Sequence, residues 1–303
     1  MTSVNPVLVV GGTGALGGQV VTNLLSRGKR VRALVRPTSN AARLEQAGVQ
    51  IVHGDMMDPA SLVRAMDGVD AVVTSAAGYT RHSKSDTDDI DTIGNRNLVD
   101  AAGKVGVRRF VLTSVLECDK TPQVPHFWHK KLVEDRLEHV GVPFVSLRPG
   151  AFIEALAQGG GDPFAKGQLI WAGSATVPLT FVLTADVARY LAEAVDAPGV
   201  EGQRIDIGWD RPVSLRTIAQ IATTLLGRDI KVRTIPGSVL SAIAAVVGPF
   251  SPAVKDRAAL MRWMQTGRYV ADPARQGEVF GQVPTPEEAI ATYLAGLGHA
   301  VNA

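Results

Sequence analysis

Cysteine is nearly absent: Cys118 is the single one in 303 residues. No internal disulfide framework can form, and this usage fits a reducing compartment, so a cytoplasmic location is expected. Net charge is small as well, +2 at pH 7, which leaves no electrostatic case for nucleic acid as a partner. Lys104, Arg108 and Arg109 form a local basic cluster. Without aromatic interleaving it reads as a solvated loop before a strand. Long hydrophobic runs are missing too. The strongest candidate, Val239 to Phe250 (VLSAIAAVVGPF), is about a dozen residues, too short to span a bilayer, and Gly248-Pro249 breaks it. It carries no Lys or Arg that would favour a surface anchor, so it reads as a buried or pocket-lining helix and no membrane partner is expected. Nothing at the N-terminus resembles a signal peptide, because a strand pattern begins within the first ten residues.

What the chain does have is apolar residues: 46% are hydrophobic and 20% charged, enough to bury a core of one large α/β unit or one and a half domains. The most informative stretch is Val7 to Val21, VLVVGGTGALGGQVV. A four-residue apolar run ends in glycines, and a helical pattern (Val20, Val21, Leu24, Leu25) follows at once. Gly12-Thr13-Gly14-Ala15-Leu16-Gly17 fits G-x-G-x-x-G, while Gly11, Gly14 and Gly17 fit the wider G-x-x-G-x-x-G. A chain that must turn sharply after a strand, let its backbone approach a pyrophosphate and pack the new helix close to a sheet needs glycine at such spacings. The free N–H groups and positive dipole end of that helix then face the phosphates.

The first half goes on alternating. Strand patterns cover Val31 to Val35, Gln50 to Val52, Ala71 to Thr74, Arg109 to Thr113 and Phe144 to Leu147. Helical patterns cover Ala41 to Ala47, Ala60 to Met66, Ile93 to Val105 and Trp128 to Val140. Such alternation implies βαβ units and a parallel sheet with both faces covered, a doubly wound Rossmann-type α/β fold. After Gly150 the rhythm changes. Gly159-Gly160-Gly161-Asp162-Pro163 reads as a loop, and Ala185 to Val195 as a helix capped by Thr184. Arg204 to Ile207 is a further strand, Ser214 to Leu226 a helix with Ser214 as N-cap, and Pro284 to Leu297 a last helix. The expected organisation is a dinucleotide-binding core over 1–150 and a smaller substrate lobe over 151–303, partly interleaved with it.

Strand two ends in Arg36, 19 residues beyond Gly17, where an NAD-specific site usually carries an acid for the ribose 2′-hydroxyl. No acid occurs from Arg30 to Asn40; Arg30, Arg32, Arg36, Thr38 and Ser39 stand there instead. A guanidinium with short hydroxyls suits a 2′-phosphate, so NADP(H) is expected over NAD(H). Asp55, after strand three, is placed to meet the adenine edge. The small residues Ser75-Ala76-Ala77 after strand four leave room for a dinucleotide.

These features resemble the short-chain dehydrogenase/reductase superfamily in its extended or atypical branch, and most of all the NmrA-like and isoflavone-reductase-like NAD(P)-binding proteins. The glycine motif, Val31 to Arg36, Gly54-Asp55 with Asp58-Pro59, Asn97 to Ala102, Val111 to Ser114, Lys130 with Val133-Glu134, and Leu147 to Gly150 carry the likeness. It implies that Thr13 to Leu16 hold the pyrophosphate and Arg36 the 2′-phosphate. It further implies that Asp55 and Met56 border adenine, with Ser75 to Ala77 beside the adenosine ribose. Lys130 would bind the nicotinamide ribose, and Pro149, Gly150, Ala151 and Phe152 would meet the carboxamide.

One departure bears on the chemistry. The superfamily usually has Tyr-x-x-x-Lys, whereas this stretch is His126-Phe127-Trp128-His129-Lys130. Residues four apart share a helix face, and histidine titrates near neutrality, so a His126/Lys130 site can still deliver a proton, with Ser114 orienting a substrate oxygen. Asp91 replaces the Asn that extended members carry before Gly94. His126 and His129 lack an obvious third ligand, so no metal is expected. The reading is an NADPH-dependent reductase acting on a small carbonyl, quinone or enone, aromatic in type. A non-catalytic NADP(H)-sensing regulator and an extended-branch sugar-nucleotide epimerase or dehydratase stay open, as does a homodimer.

Overall fold

Val7–Val10 (β1) is wholly buried and sits between two further strands, Val31–Val35 (β2) and Ala71–Thr74 (β4). In this computed structural model, which describes residues 5–78, 87–157, 161–239, 246 and 251–302, Val7 is level with Val31 on one side and Ala71 on the other. Gln50–His53 (β3), Arg109–Thr113 (β5) and Phe144–Pro149 (β6) extend the sheet in parallel. The short strands Ala151–Phe152 (β7), Gln168–Ala172 (β8) and Phe181–Val182 (β9) lie outside it. Gln203–Ile207 (β10) closes the sheet, whose order is β10-β6-β5-β4-β1-β2-β3. The order of chain progression reverses between β1 and β4. Open α/β sheets bind ligands in the crevice at such a reversal, outside the carboxyl ends of the strands.

The intervening segments are helical: Ala15–Ser26 (α1), Ala42–Gln46 (α2), Pro59–Met66 (α3), Asn95–Val105 (α4) and Pro125–Val140 (α5). Apolar residues of α3, α4 and α5, among them Leu62, Leu98 and Leu137, pack with Leu8, Val72 and Phe110 of the strands into one core. Near-continuous apolar strands are what a sheet covered on both faces requires.

The chain divides into two compact units. One comprises Met1–Arg148 and Ala185–Ile205, and so takes in most of Thr184–Glu193 (α6). The other comprises Pro149–Thr184 and Asp206–Ala303. Within this second unit β8 pairs in parallel with Lys231–Ile235 (β11), and β7 with β9. Leu215–Leu226 (α7) starts at Ser214, whose hydroxyl accepts from the Thr217 amide. The last helix, Pro286–Gly296, opens with a reciprocal cap between Thr285 and Glu288.

Several expectations need adjustment. Helix α5 starts at Pro125 rather than Trp128, because proline at the first helical position has no N–H to leave unpaired. A π-helical turn, Thr87–Gly94, precedes α4. Thr184 is the first residue of α6, and its amide donates to Glu154 Oε1. Arg109 is not solvated: it is 4% exposed, donates to the Ala194 and Ala197 carbonyls, and pairs with Glu201. Tyr79, Gly159, Gly160 and, within the apolar run, residues 240–245 and 247–250 lie outside the described residues.

Candidate functional site

The glycine loop shows which spacing the backbone demands. Gly11 has φ +91°, and a Cβ there would meet Ser75 Oγ at 2.9 Å. A Cβ on Gly17 would fall 2.2 Å from the Gly11 carbonyl oxygen, which no side chain can accommodate. Gly14 donates its amide to that same carbonyl. Gly12, by contrast, would bring a Cβ no closer than 3.6 Å to its neighbours. The backbone therefore demands glycine at Gly11 and Gly17, while a Cβ on Gly14 would sit a tight 3.3 Å from the Gly11 carbonyl oxygen.

Helix α1 begins directly after this loop, with Gly14 as N-cap and no side chain capping it. Its first amides are left for an external acceptor, and Thr13, Gly14 and Ala15 are exposed, with Leu16 half-buried. Arg36, at the carboxyl end of β2, is exposed and forms no ion pair or side-chain hydrogen bond among the described residues. Arg32 differs. Its guanidinium is tied to the Ala65 and Asp67 carbonyls and to Gln50.

Asp55 spends one carboxylate oxygen on the Met57 amide. Met56 turns its side chain into the core while its carbonyl accepts from Asn97. Ser75, Ala76 and Ala77 are half-buried beyond β4. That loop is gripped from two sides: Lys130 Nζ donates to the Ala76 carbonyl at 3.3 Å, and the Gly78 amide donates to Asp91 Oδ1 at 2.9 Å. Lys130 is 9% exposed, and no carboxylate pairs with it among the described residues. The other carboxylate oxygen of Asp91 is buried with no partner among those residues.

His126 lies in the first turn of α5, one turn before Lys130, its ring edge-on to Phe127 at 4.7 Å. His129 Nδ1 is bonded to Thr92 Oγ1. Phe127 is a core residue, 3% exposed.

Ser114 is deeply buried and donates to Glu134 Oε1 at 2.7 Å. Glu134 is a hub. It also accepts from Ser146, from Arg148 twice and from Arg204, with no solvent exposure of its own. Burial would raise its pKa, but the Arg148 guanidinium, Ser146 and Ser114 outweigh that and hold it below the usual carboxylate range. The Ser114 proton is thus committed to a buried carboxylate. Glu134 stands four residues after Lys130, on the same helix face, and that spacing is the signal by which sequence could have found it.

In the second unit, Pro149 ends β6 and accepts from the Tyr269 hydroxyl at 3.5 Å. A Cβ on Gly150 would lie 2.5 Å from the Thr180 carbonyl oxygen, and Ala151 and Phe152 form β7.

A model of the NmrA-like family matches residues 4–273. The chain belongs to the NmrA-like family. Photosystem II assembly factor Ycf39 of Synechocystis is 28% identical to this NmrA-like chain over 291 residues, 95% of this chain and 89% of the relative. Two solved structures share its fold. Citrobacter triphenylmethane reductase, complexed with NADP(H), has a TM-score of 0.77 at 19% identity, covering 94% of this chain and 99% of its own. The NADPH-dependent quinone oxidoreductase of Escherichia coli has a TM-score of 0.73 at 22% identity, covering 95% and 99%. In this NmrA-like chain Tyr190, the one described tyrosine of the first unit, is fully buried beneath Arg189.

Proposed function

We propose that this NmrA-like protein is an NADPH-dependent reductase of a small carbonyl, quinone or enone. The observation that carries the reading is the juxtaposition at the carboxyl ends of β1, β2 and β4: an uncapped helix start, an unpaired Arg36 and the buried ammonium of Lys130. This donor set fits an NADP(H) molecule, all cationic or N–H where phosphate and ribose oxygens need partners. When bound, the cofactor supplies the hydride. The α1 amides over Thr13 to Leu16 hold the pyrophosphate. Arg36 holds the 2′-phosphate through charge-assisted bonds. Lys130, held on the Ala76 carbonyl, turns its remaining N–H donors to the nicotinamide ribose. His126 donates the proton at the reduced oxygen or carbon. Ser114 holds no free proton for this step, and its place is in positioning β5 through Glu134.

NADPH oxidation across a panel of carbonyls, quinones and enones tests the reading. Turnover that falls at least tenfold in His126→Ala while NADPH still binds supports it. Arg36→Ala should weaken NADPH about 10- to 100-fold and leave NADH almost unchanged. Equal affinity of the wild type for both nucleotides would remove the 2′-phosphate assignment.

A second reading draws on the Synechocystis Ycf39 relative, a photosystem II assembly factor that matches 95% of this chain. Here the bound cofactor reports redox state to a protein partner, and His126 need not donate a proton. Tight NADPH binding with no turnover on any acceptor, and partner capture that changes with cofactor, would favour it.

A further inference from the structure

Many arginines among the described residues are matched by carboxylates, such as Arg108 by Asp70, Arg136 by Asp100, Arg148 by Glu134 and Arg211 by Glu287. One strand pair gathers cations without any acid. The β8/β11 pair of the second unit contains Lys231 and Arg233 and no acid in either strand. Neither cation forms an ion pair among the described residues, and both are exposed.

The register decides what shares that face. Lys231 is level with Gln168, Arg233 with Ile170 and Ile235 with Ala172. Alternate residues of a strand point the same way, so these six side chains stand on one face. Ile170 is 59% exposed and Ile235 39%, with Val239 four residues further on at 45%. The other face carries Leu169, 1% exposed, and Trp171. Beyond Ala172 the surface continues into an apolar groove of about 240 Å³, lined by Gly173, Gly237, Ala258 and Met261, with Arg262 on its wall. Arg262 is also exposed and unpaired among the described residues.

Single exposed isoleucines are ordinary. Basic residues on an edge strand also discourage strand pairing, a role that needs the charges but not the isoleucines. The combination of unpaired cations with protruding aliphatic side chains matches a surface that lies on lipid, with the apolar groups at the acyl boundary and the cations among headgroups. We propose that this face of the β8/β11 pair docks on an anionic lipid surface. A second copy is disfavoured, because a face of cations without acids repels its own image across a two-fold axis. Nucleic acid is disfavoured, because no aromatic ring stands on this face to stack a base. The sequence expectation of no membrane partner rested on the shortness of Val239 to Phe250 and on its lack of Lys and Arg; cations lie in β11 before it and in the helix Pro252–Met264 after it.

The test is co-sedimentation of the full chain with phosphatidylcholine vesicles, with and without roughly a third phosphatidylglycerol. Partition onto the anionic vesicles at about 0.1 M salt, largely lost at about 1 M, is expected. Lys231→Glu and Arg233→Glu should each weaken it about fivefold or more. Ile170→Asn, which leaves charge unchanged, should weaken it as well, and an unaltered melting temperature checks that each variant is folded. Three results would overturn the proposal. One is absence of partition onto anionic vesicles, or equal partition onto phosphatidylcholine alone. Another is a dimer that Ile170→Asn dissolves. The third is binding to soluble polyglutamate that depends on Arg233 but not on Ile170.

Discussion

Glu134 has no contact with solvent, yet two guanidinium groups and two serine hydroxyls converge on it. Removing the central carboxylate from such a network leaves buried Arg148 with the part-exposed Asp119, 3.2 Å away, as its counter-charge, which costs up to about 3–5 kcal/mol. Glu134→Gln should lower stability by that order in urea unfolding. The pH dependence has a definite sign. The folded pKa lies below the ordinary value of 4.5, so the stabilising contribution is complete above it and drains away as pH falls through the folded value. The wild type should therefore lose stability in acid more steeply than Glu134→Gln, measured as unfolding midpoints from pH 6 downward. Cys118 adjoins this network, 3.6 Å from Ser114 Oγ. Burial, with the nearby Glu134 charge, pushes its thiol up to about 12. At pH 8 a thiol reagent should leave the native protein untouched and react once it is denatured; rapid labelling of the folded chain would contradict the burial.

Elements built on one physical signal were legible; elements built on tertiary accident were not. The largely apolar runs Val7–Val10, Val31–Val35, Ala71–Thr74 and Arg109–Thr113 match the observed strands residue for residue, because a strand buried on both faces is apolar along most of its length. Strands β7 and β9 have two residues each, too few to carry a period. Strands β8 and β11 are largely uncovered on one face, so neither shows the apolar run that marks a buried strand. At the site, the tight turn of the glycine loop was legible from spacing, whereas Lys130 was singled out by the family resemblance. The bonds Ser114 to Glu134 and Gly78 to Asp91 join residues 20 and 13 apart, and no local rule predicts them. The β1–α1 turn also separates two spacings that sequence alone left open. Gly17→Ala drives a Cβ into the Gly11 carbonyl and should lower the melting temperature markedly. Gly12→Ala meets only ordinary contacts and should stay within about 2 °C of wild type. Comparable losses in both variants would mean that the loop is as tight at Gly12 as at Gly17.

At the scale of the molecule, the candidate nucleotide residues from Gly11 to Lys130 all belong to one unit, which Ala185–Ile205 completes from much later in the chain. Arg108, Arg109 and Lys29 fasten that late segment through Asp196, Val195, Ala194, Ala197 and Glu201. A ligand that binds only the folded unit stabilises it by mass action, about 2.7 kcal/mol at a hundredfold excess over its Kd. For a unit of this size that corresponds to a rise of roughly 5–10 °C in melting temperature. Scanning calorimetry of the full chain should show this rise with NADPH, and a smaller one with NADH at the same concentration, because NADH offers Arg36 no phosphate. Separate melting of the two units would move only the transition of the first; joint melting would move the single transition by less, the same free energy being spread over a larger unfolding entropy. In either case the ordering NADPH above NADH has to hold, because it depends on the local chemistry at the end of β2 and not on how the units couple. Identical shifts would mean that Arg36 does not read the extra phosphate.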